Sequence, residues 1–140
     1  MEIFNGTDIV CISRFERYCK IGDDDVLPHF ITRCYTDNEI RYCLSKANLK
    51  ARAESFAARF AAKEAVAKAM GTGIMTMGIG MTDIEIINND KGAPLVNLFG
   101  RAKQEAEALN VFSISVSLSH DGDYATAYCS MLAGKEKDRV

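Results

Sequence analysis

The sequence predicts an α+β domain, with helices early and antiparallel strands late. Three observations carry that expectation. Two strings spaced Ser/Thr-x-x-Glu, Ser13–Glu16 and Thr36–Glu39, mark helix starts in the first third of the chain. Ala51 to Met70 is packed with alanine, the best helix former. Ser113 to Ser119 alternates serine with isoleucine, valine and leucine, the period of a half-buried strand.

The elements follow in order. Ile3 to Ile12 is apolar and β-branched apart from Asn5, Gly6, Thr7 and Asp8, and reads as a strand. A helix from Ser13 is broken at Gly22-Asp23-Asp24-Asp25. Pro28 sits in a linker or opens a short turn, and Thr36 opens a second helix to about Asn48. The longest helix, Ala51 to Met70, ends at Gly71-Thr72-Gly73. Asp83–Asn88 and Pro94–Phe99 form a hairpin around the turn cluster Asn88 to Gly92. Gly100–Leu109 is a short helix, and Asp121-Gly122-Asp123 turns the serine-rich strand back into Tyr124–Met131. Residues 1–132 form one domain, and 133–140 a charged, frayed tail.

The 140 residues fit a single domain. No apolar run reaches the length of a membrane span, and Glu2 and Asp8 interrupt any signal peptide, so a cytoplasmic protein is expected. The five cysteines are odd in number and lack C-x-x-C spacing, and with only two histidines they read as reduced apolar side chains, not as a zinc site. In that compartment the Asn5-Gly6-Thr7 triplet meets no glycosylation machinery. A net charge of −2 argues against a nucleic-acid partner but leaves room for a local basic patch.

A few residues stand out. Asp8 interrupts an apolar strand, as a metal ligand or catalytic carboxylate would; a strand-end carboxylate exposed by the pleat or paired with arginine is the plainer reading. Glu64 and Lys68 share a helix face at i and i+4, as a cation-holding carboxylate and a phosphate-binding lysine, or as an ordinary surface pair. Arg59 and Lys63 form a second i, i+4 column of like charge, which favours an anionic partner. The glycines at 71, 73, 78 and 80 follow a helix and lack GK[ST], so they are no P-loop. His120 ends a strand, as a phosphate contact or as a turn histidine bonded to backbone. No G-x-S-x-G elbow accompanies it.

Longer strings carry more information. Gly6-Thr7-Asp8-Ile9-Val10, Arg59-Phe60-Ala61-Ala62-Lys63-Glu64-Ala65 and Lys68-Ala69-Met70-Gly71-Thr72-Gly73-Ile74 resemble the holo-acyl-carrier-protein synthase family. So do Asp83-Ile84-Glu85-Ile86, Gly92-Ala93-Pro94 and Ser117-Leu118-Ser119-His120 with Tyr124-Ala125. Order and approximate spacing match from residue 3 to about residue 130; Lys20 to Ala53 does not align securely, and nothing after Met131 does.

The resemblance implies a 4′-phosphopantetheinyl transferase fold, a long alanine-rich helix packed on a small antiparallel sheet, assembled as a homotrimer with interfacial active sites. It implies Mg2+-dependent transfer of phosphopantetheine from coenzyme A to a serine of an apo-acyl carrier protein, in support of fatty acid synthesis, with adenosine 3′,5′-bisphosphate leaving. Asp8 and Glu64 match the metal ligands, Lys68 a lysine near the phosphate, and Arg59, Gly71, Pro94 and His120 positions lining the coenzyme pocket. Glu64 is also a candidate to hold a metal-bound water that takes the serine proton. The first helix, with Arg14, Arg17 and Lys20, matches the surface that docks the acidic carrier, while Cys11, Ile12 and Phe15 pack inward. Two rivals are a non-catalytic trimer binding coenzyme A or an acidic protein, and a metal-dependent nucleotide phosphatase, for which a third carboxylate motif is missing.

Overall fold

The computed structural model describes residues 1–20, 26–73 and 78–134. The expected helix break at residues 22–25, Ile74 and the tail beyond residue 134 lie outside them. Among the described residues, five strands and five α-helices follow in the order β1 (Glu2–Cys11), α1 (Ser13–Glu16), α2 (His29–Cys34), α3 (Asp37–Leu44), α4 (Leu49–Ala69), β2 (Ile84–Asn88), β3 (Pro94–Leu98), α5 (Gly100–Ala108), β4 (Val111–Asp121) and β5 (Tyr124–Ala133). A 3-10 turn over Met81–Asp83 precedes β2. The α+β class and the antiparallel hairpins are as expected, but the first strand joins the last: one sheet has the order β1-β5-β4, and β2-β3 stands apart.

Local chemistry explains most boundaries. Thr36 forms the expected capping box, its hydroxyl accepting from the Glu39 amide and the Glu39 carboxylate accepting from the Thr36 amide. Asn48 caps α4 by accepting from the Ala51 amide at 2.8 Å, so the long helix begins at Leu49 and the preceding one stops at Leu44, short of Asn48. At the other end Gly71 takes φ +77, with its amide bonded to Lys68 O and the Thr72 amide to Ala67 O. Pro28 opens α2.

Two expectations are corrected. Ser13 does not cap the first helix. Ile12 already has helical dihedrals (φ −63, ψ −36), so the cap position lacks the extended backbone that aims a serine oxygen at the next turn. The helix is also only four residues long, so Lys20 lies beyond it, exposed. Ile12 and Phe15 are buried as expected, while Cys11 is half-buried.

Helix α4 has buried residues all round its circumference, so it is a core helix rather than an amphipathic surface one. It lies across the inner face of the β1-β5-β4 sheet, where Ala125, Ala127, Cys129 and Met131 of β5 face it and are essentially inaccessible. On β4 the serines at 113, 115, 117 and 119 face outward. That outer face is uncovered and also carries exposed Ile3, Ile9, Tyr124 and Tyr128. An aromatic cluster of Phe15, Phe30, Tyr35, Phe56 and Phe60 fills the space between α1, α2 and α4.

The closest strand–helix approach is at Gly6. A Cβ built there would stand 2.0 Å from Ala65 O and 2.6 Å from Ala69 N. Both obstacles are backbone, so no rotamer change can relieve them. Gly6→Ala should therefore cost about 3 kcal/mol or more in urea unfolding; a wild-type midpoint would contradict this packing.

Candidate active site

The Gly6 contact sets Asp8 two residues further along β1, on the same face and over the next part of α4. There it meets Glu64 and Lys68. Lys68 Nζ donates to Asp8 Oδ1 at 2.9 Å and to Thr7 O at 3.1 Å. Burial and the charge of Asp8 hold the Glu64 carboxyl above its ordinary 4.5, with Lys68 pulling the other way. The plain readings are thus half right. Lys68 does form an ion pair, but with Asp8 across 60 residues rather than with Glu64.

This donor set fits a hard cation. Two carboxylates whose charges oppose each other are relieved by a dication, and Lys68 is half exposed, leaving water access. Among the described residues no group of three or more His, Cys, Asp or Glu side chains could hold a metal. Two carboxylates plus waters suit Mg2+ and suit zinc poorly.

Arg59, Pro94 and His120 come together elsewhere, in a cleft of about 470 Å3 shared with Tyr42, Asn88 and Gly92. Arg59 is 4% exposed, yet no carboxylate among the described residues pairs with it. Its guanidinium lies 4.1 Å from the Tyr42 ring centre and donates to Asn88 Oδ1 at 2.5 Å and Ser55 Oγ at 3.2 Å, while Nε has no partner. A buried guanidinium without a counter-charge suits an anionic ligand. Lys46, also over Tyr42 at 4.4 Å, and His120, 3.8 Å from Glu54, line the adjoining cleft of about 260 Å3.

Gly71 does not line either cleft; it closes α4 one turn past Lys68. The clefts lined by Arg59 and His120 do not include Asp8, Glu64 or Lys68. Five residues separate Arg59 from Glu64, a rotation of about 140° on a helix. In one chain the Asp8–Glu64–Lys68 cluster and the Arg59 cleft therefore lie on different faces of α4.

Lys63 is a further correction. It does not extend a cationic column beside Arg59. Its side chain is wholly buried, donating to Glu39 Oε1 at 2.6 Å, Met81 O at 2.9 Å and Ile84 O at 2.6 Å. Burial draws its ammonium below the usual lysine range, against the pull of Glu39. Tyr42 and Asn88 line the Arg59 cleft without any signal in the sequence, and Glu39 reaches Lys63 from α3. A lysine inside an alanine-rich buried helix was the one available signal for a distant carboxylate. Arg14 and Arg17 do lie together, lining a cleft of about 360 Å3 with Ser13, Phe15, Tyr18 and Phe30.

The chain is similar to known proteins. Residues 5–129 match the family model of the 4′-phosphopantetheinyl transferase superfamily. The chain is 42% identical, over 96% of its length and 95% of the relative's, to a holo-[acyl-carrier-protein] synthase of Ruminiclostridium cellulolyticum. It is similar to the crystal structure of the Helicobacter pylori holo-[acyl-carrier-protein] synthase in complex with coenzyme A, with TM-score 0.73 and 34% identity, over 91% of this chain and 99% of that one. A Chronobacterium ammoniagenes coenzyme A complex aligns with TM-score 0.77 and 26% identity, over 96% and 100%.

The raised carboxyl has a stability consequence. In the fold the protonated form of Glu64 is favoured relative to the unfolded chain. Its ionisation thus costs stability above the folded value and nothing below the unfolded one. Glu64→Gln should raise the melting temperature of metal-free protein at neutral pH, with the gain vanishing as pH falls through 4.5. An unchanged or lower value at neutral pH would contradict this electrostatic account.

Proposed function

The chain belongs to the 4′-phosphopantetheinyl transferase superfamily, and on that premise we propose that it moves the phosphopantetheine arm of coenzyme A onto a serine of an apo-acyl carrier protein, with Mg2+, in support of fatty acid synthesis. The observation that carries this reading is the meeting of Asp8, Glu64 and Lys68, distant in sequence, beside the β1–α4 contact.

The serine oxygen attacks the β-phosphorus of the coenzyme pyrophosphate. A serine O–P bond forms, the bond to the bridging oxygen breaks, and adenosine 3′,5′-bisphosphate leaves with the electron pair. Asp8 and Glu64 would hold the magnesium ion, which when bound offsets charge on the pyrophosphate. Lys68 offers a half-exposed ammonium to the phosphate entering beside Asp8. Glu64 takes the serine proton through a water. Arg59 and His120 receive the adenosine bisphosphate end, Pro94 forms its wall, and Gly71 lets the backbone approach at the end of α4.

A homotrimer with interfacial sites belongs to the same reading. It is supported by the separation of the two half-sites on α4 and by the uncovered sheet face with Ile3, Ile9, Tyr124 and Tyr128. Arg14 and Arg17 take the acidic carrier, with Lys20 adding charge from beyond the helix. Five free thiols agree with a reducing, cytoplasmic setting, and no helix among the described residues is long and apolar enough to cross a membrane.

Intact-protein mass spectrometry of an apo carrier incubated with enzyme, coenzyme A and Mg2+ should gain the mass of one phosphopantetheine, and EDTA should prevent it. Asp8→Ala and Glu64→Ala should each abolish the gain while circular dichroism stays unchanged; near-wild-type transfer by either would refute the metal assignment. Arg14→Glu combined with Arg17→Glu should raise KM for the carrier about tenfold or more and leave KM for coenzyme A unchanged. Equal changes in both would remove the arginines from carrier docking.

A further inference from the structure

The ion pair between Lys63 and Glu39 takes no part in the reaction just described, although Lys63 stands next to Glu64 in sequence. Both side chains are 0% exposed. For stability alone such a pair is a poor choice, because well-packed apolar residues of the same volume do as well or better. What it provides is direction. The three bonds of the Lys63 ammonium go to α3, to the 3-10 turn and to the first residue of β2. The Glu39 carboxylate also accepts from the Thr36 amide at 3.0 Å and from the Ile86 amide at 3.0 Å. Ile84 and Ile86 are two apart, so the carbonyl and amide that the pair engages lie on one edge of β2. Lysine and glutamate together thus grip that edge as a neighbouring strand would, and they do so in one register only.

The strand gripped in this way carries Asn88 at its end. Asn88 Oδ1 accepts from Arg59 at 2.5 Å, and its amide nitrogen donates to Gly92 O at 2.9 Å. Asn88, Gly92 and Pro94 form one wall of the 470 Å3 cleft, and Arg59, one helical turn before Lys63, contributes another. We infer that the Lys63–Glu39 pair is a positioning device for the coenzyme half-site, docking the β2–β3 hairpin on α4 so that this wall stands at a fixed distance from the Arg59 guanidinium. The inference rests on the proposed transfer reaction. It places two positioning residues outside the cleft, neither touching substrate.

The test compares wild type with Lys63→Met and with Glu39→Gln, which keeps volume and acceptor oxygen but removes the charge. Each is assayed well below its own melting temperature. Steady-state kinetics should show KM for coenzyme A raised about tenfold or more, with KM for the carrier within about threefold of wild type. Calorimetric titration of coenzyme A without carrier should show a matching loss of affinity. A merely structural pair would lower the melting temperature and leave the coenzyme constants alone, and that result would overturn the proposal; so would equal rises in both KM values. If Lys63→Met fails to fold, Glu39→Gln decides by the same readouts. A wild-type protein that transfers nothing refutes the reaction and this inference with it, whereas normal transfer with undiminished coenzyme affinity in the variants refutes the positioning role alone.

Discussion

The absence of a single β-carbon, at Gly6, is the constraint on which the rest of the structure depends. The strand lies on the helix so closely that the carbonyl of Ala65 and the amide of Ala69 occupy the volume a side chain would need. The surrounding residues are chosen in the same sense, with Ala61, Ala62 and Ala65 on α4 and Ala125 and Ala127 on β5 all essentially inaccessible. Small residues bury little apolar area each. The aromatic cluster on the α1–α2 side supplies the bulk that this interface gives up. The result is a helix held close enough to β1 for a strand carboxylate and two helix side chains to act on one another.

The charged residues of α4 have three different fates, decided by what each faces. Lys63 turns into the core and is neutralised by Glu39. Arg59 is nearly as buried but has only an aromatic face, an amide and a hydroxyl for company. Glu64 faces a like charge. The first is an internally satisfied structural element. Arg59 lacks a counter-charge and Glu64, partly buried beside Asp8, has a raised carboxyl, so an anion and a cation, respectively, would suit them.

How much of this was legible in the sequence depended on the range of the interaction. Where partners are three or four residues apart, the reading held: the Thr36–Glu39 box, the glycine end of α4 and the β2–β3 hairpin are set by local chemistry. The identical spacing at Ser13–Glu16 does mark the start of α1, but no cap forms, because the dihedrals of Ile12, whose amide is tied to Asp123 O, are imposed from across the fold. Lys63 was misread for a related reason. Its partner lies 24 residues away, and spacing on its own helix pointed to Arg59. Asp8 stands out by interrupting an apolar strand and Glu64 and Lys68 by their helical spacing, but only the family strings favour the functional reading over the plainer one of surface pairing. Tyr42 and Asn88 carried no local signal, because their role is to flank a guanidinium that another helix delivers.

The alanine lining of α4 also limits how this protein can change over time. At Ala61, Ala62 and Ala65, each 0% exposed, almost every substitution is an enlargement, and the only smaller residue is glycine, which weakens a helix interior. Drift at these positions is therefore nearly one-sided: the chain can lose the fit in many ways and improve it in none. Room to exchange is left to exposed side chains at the periphery, such as Arg14 and Arg17 on the first helix and the residues of the hairpin turn.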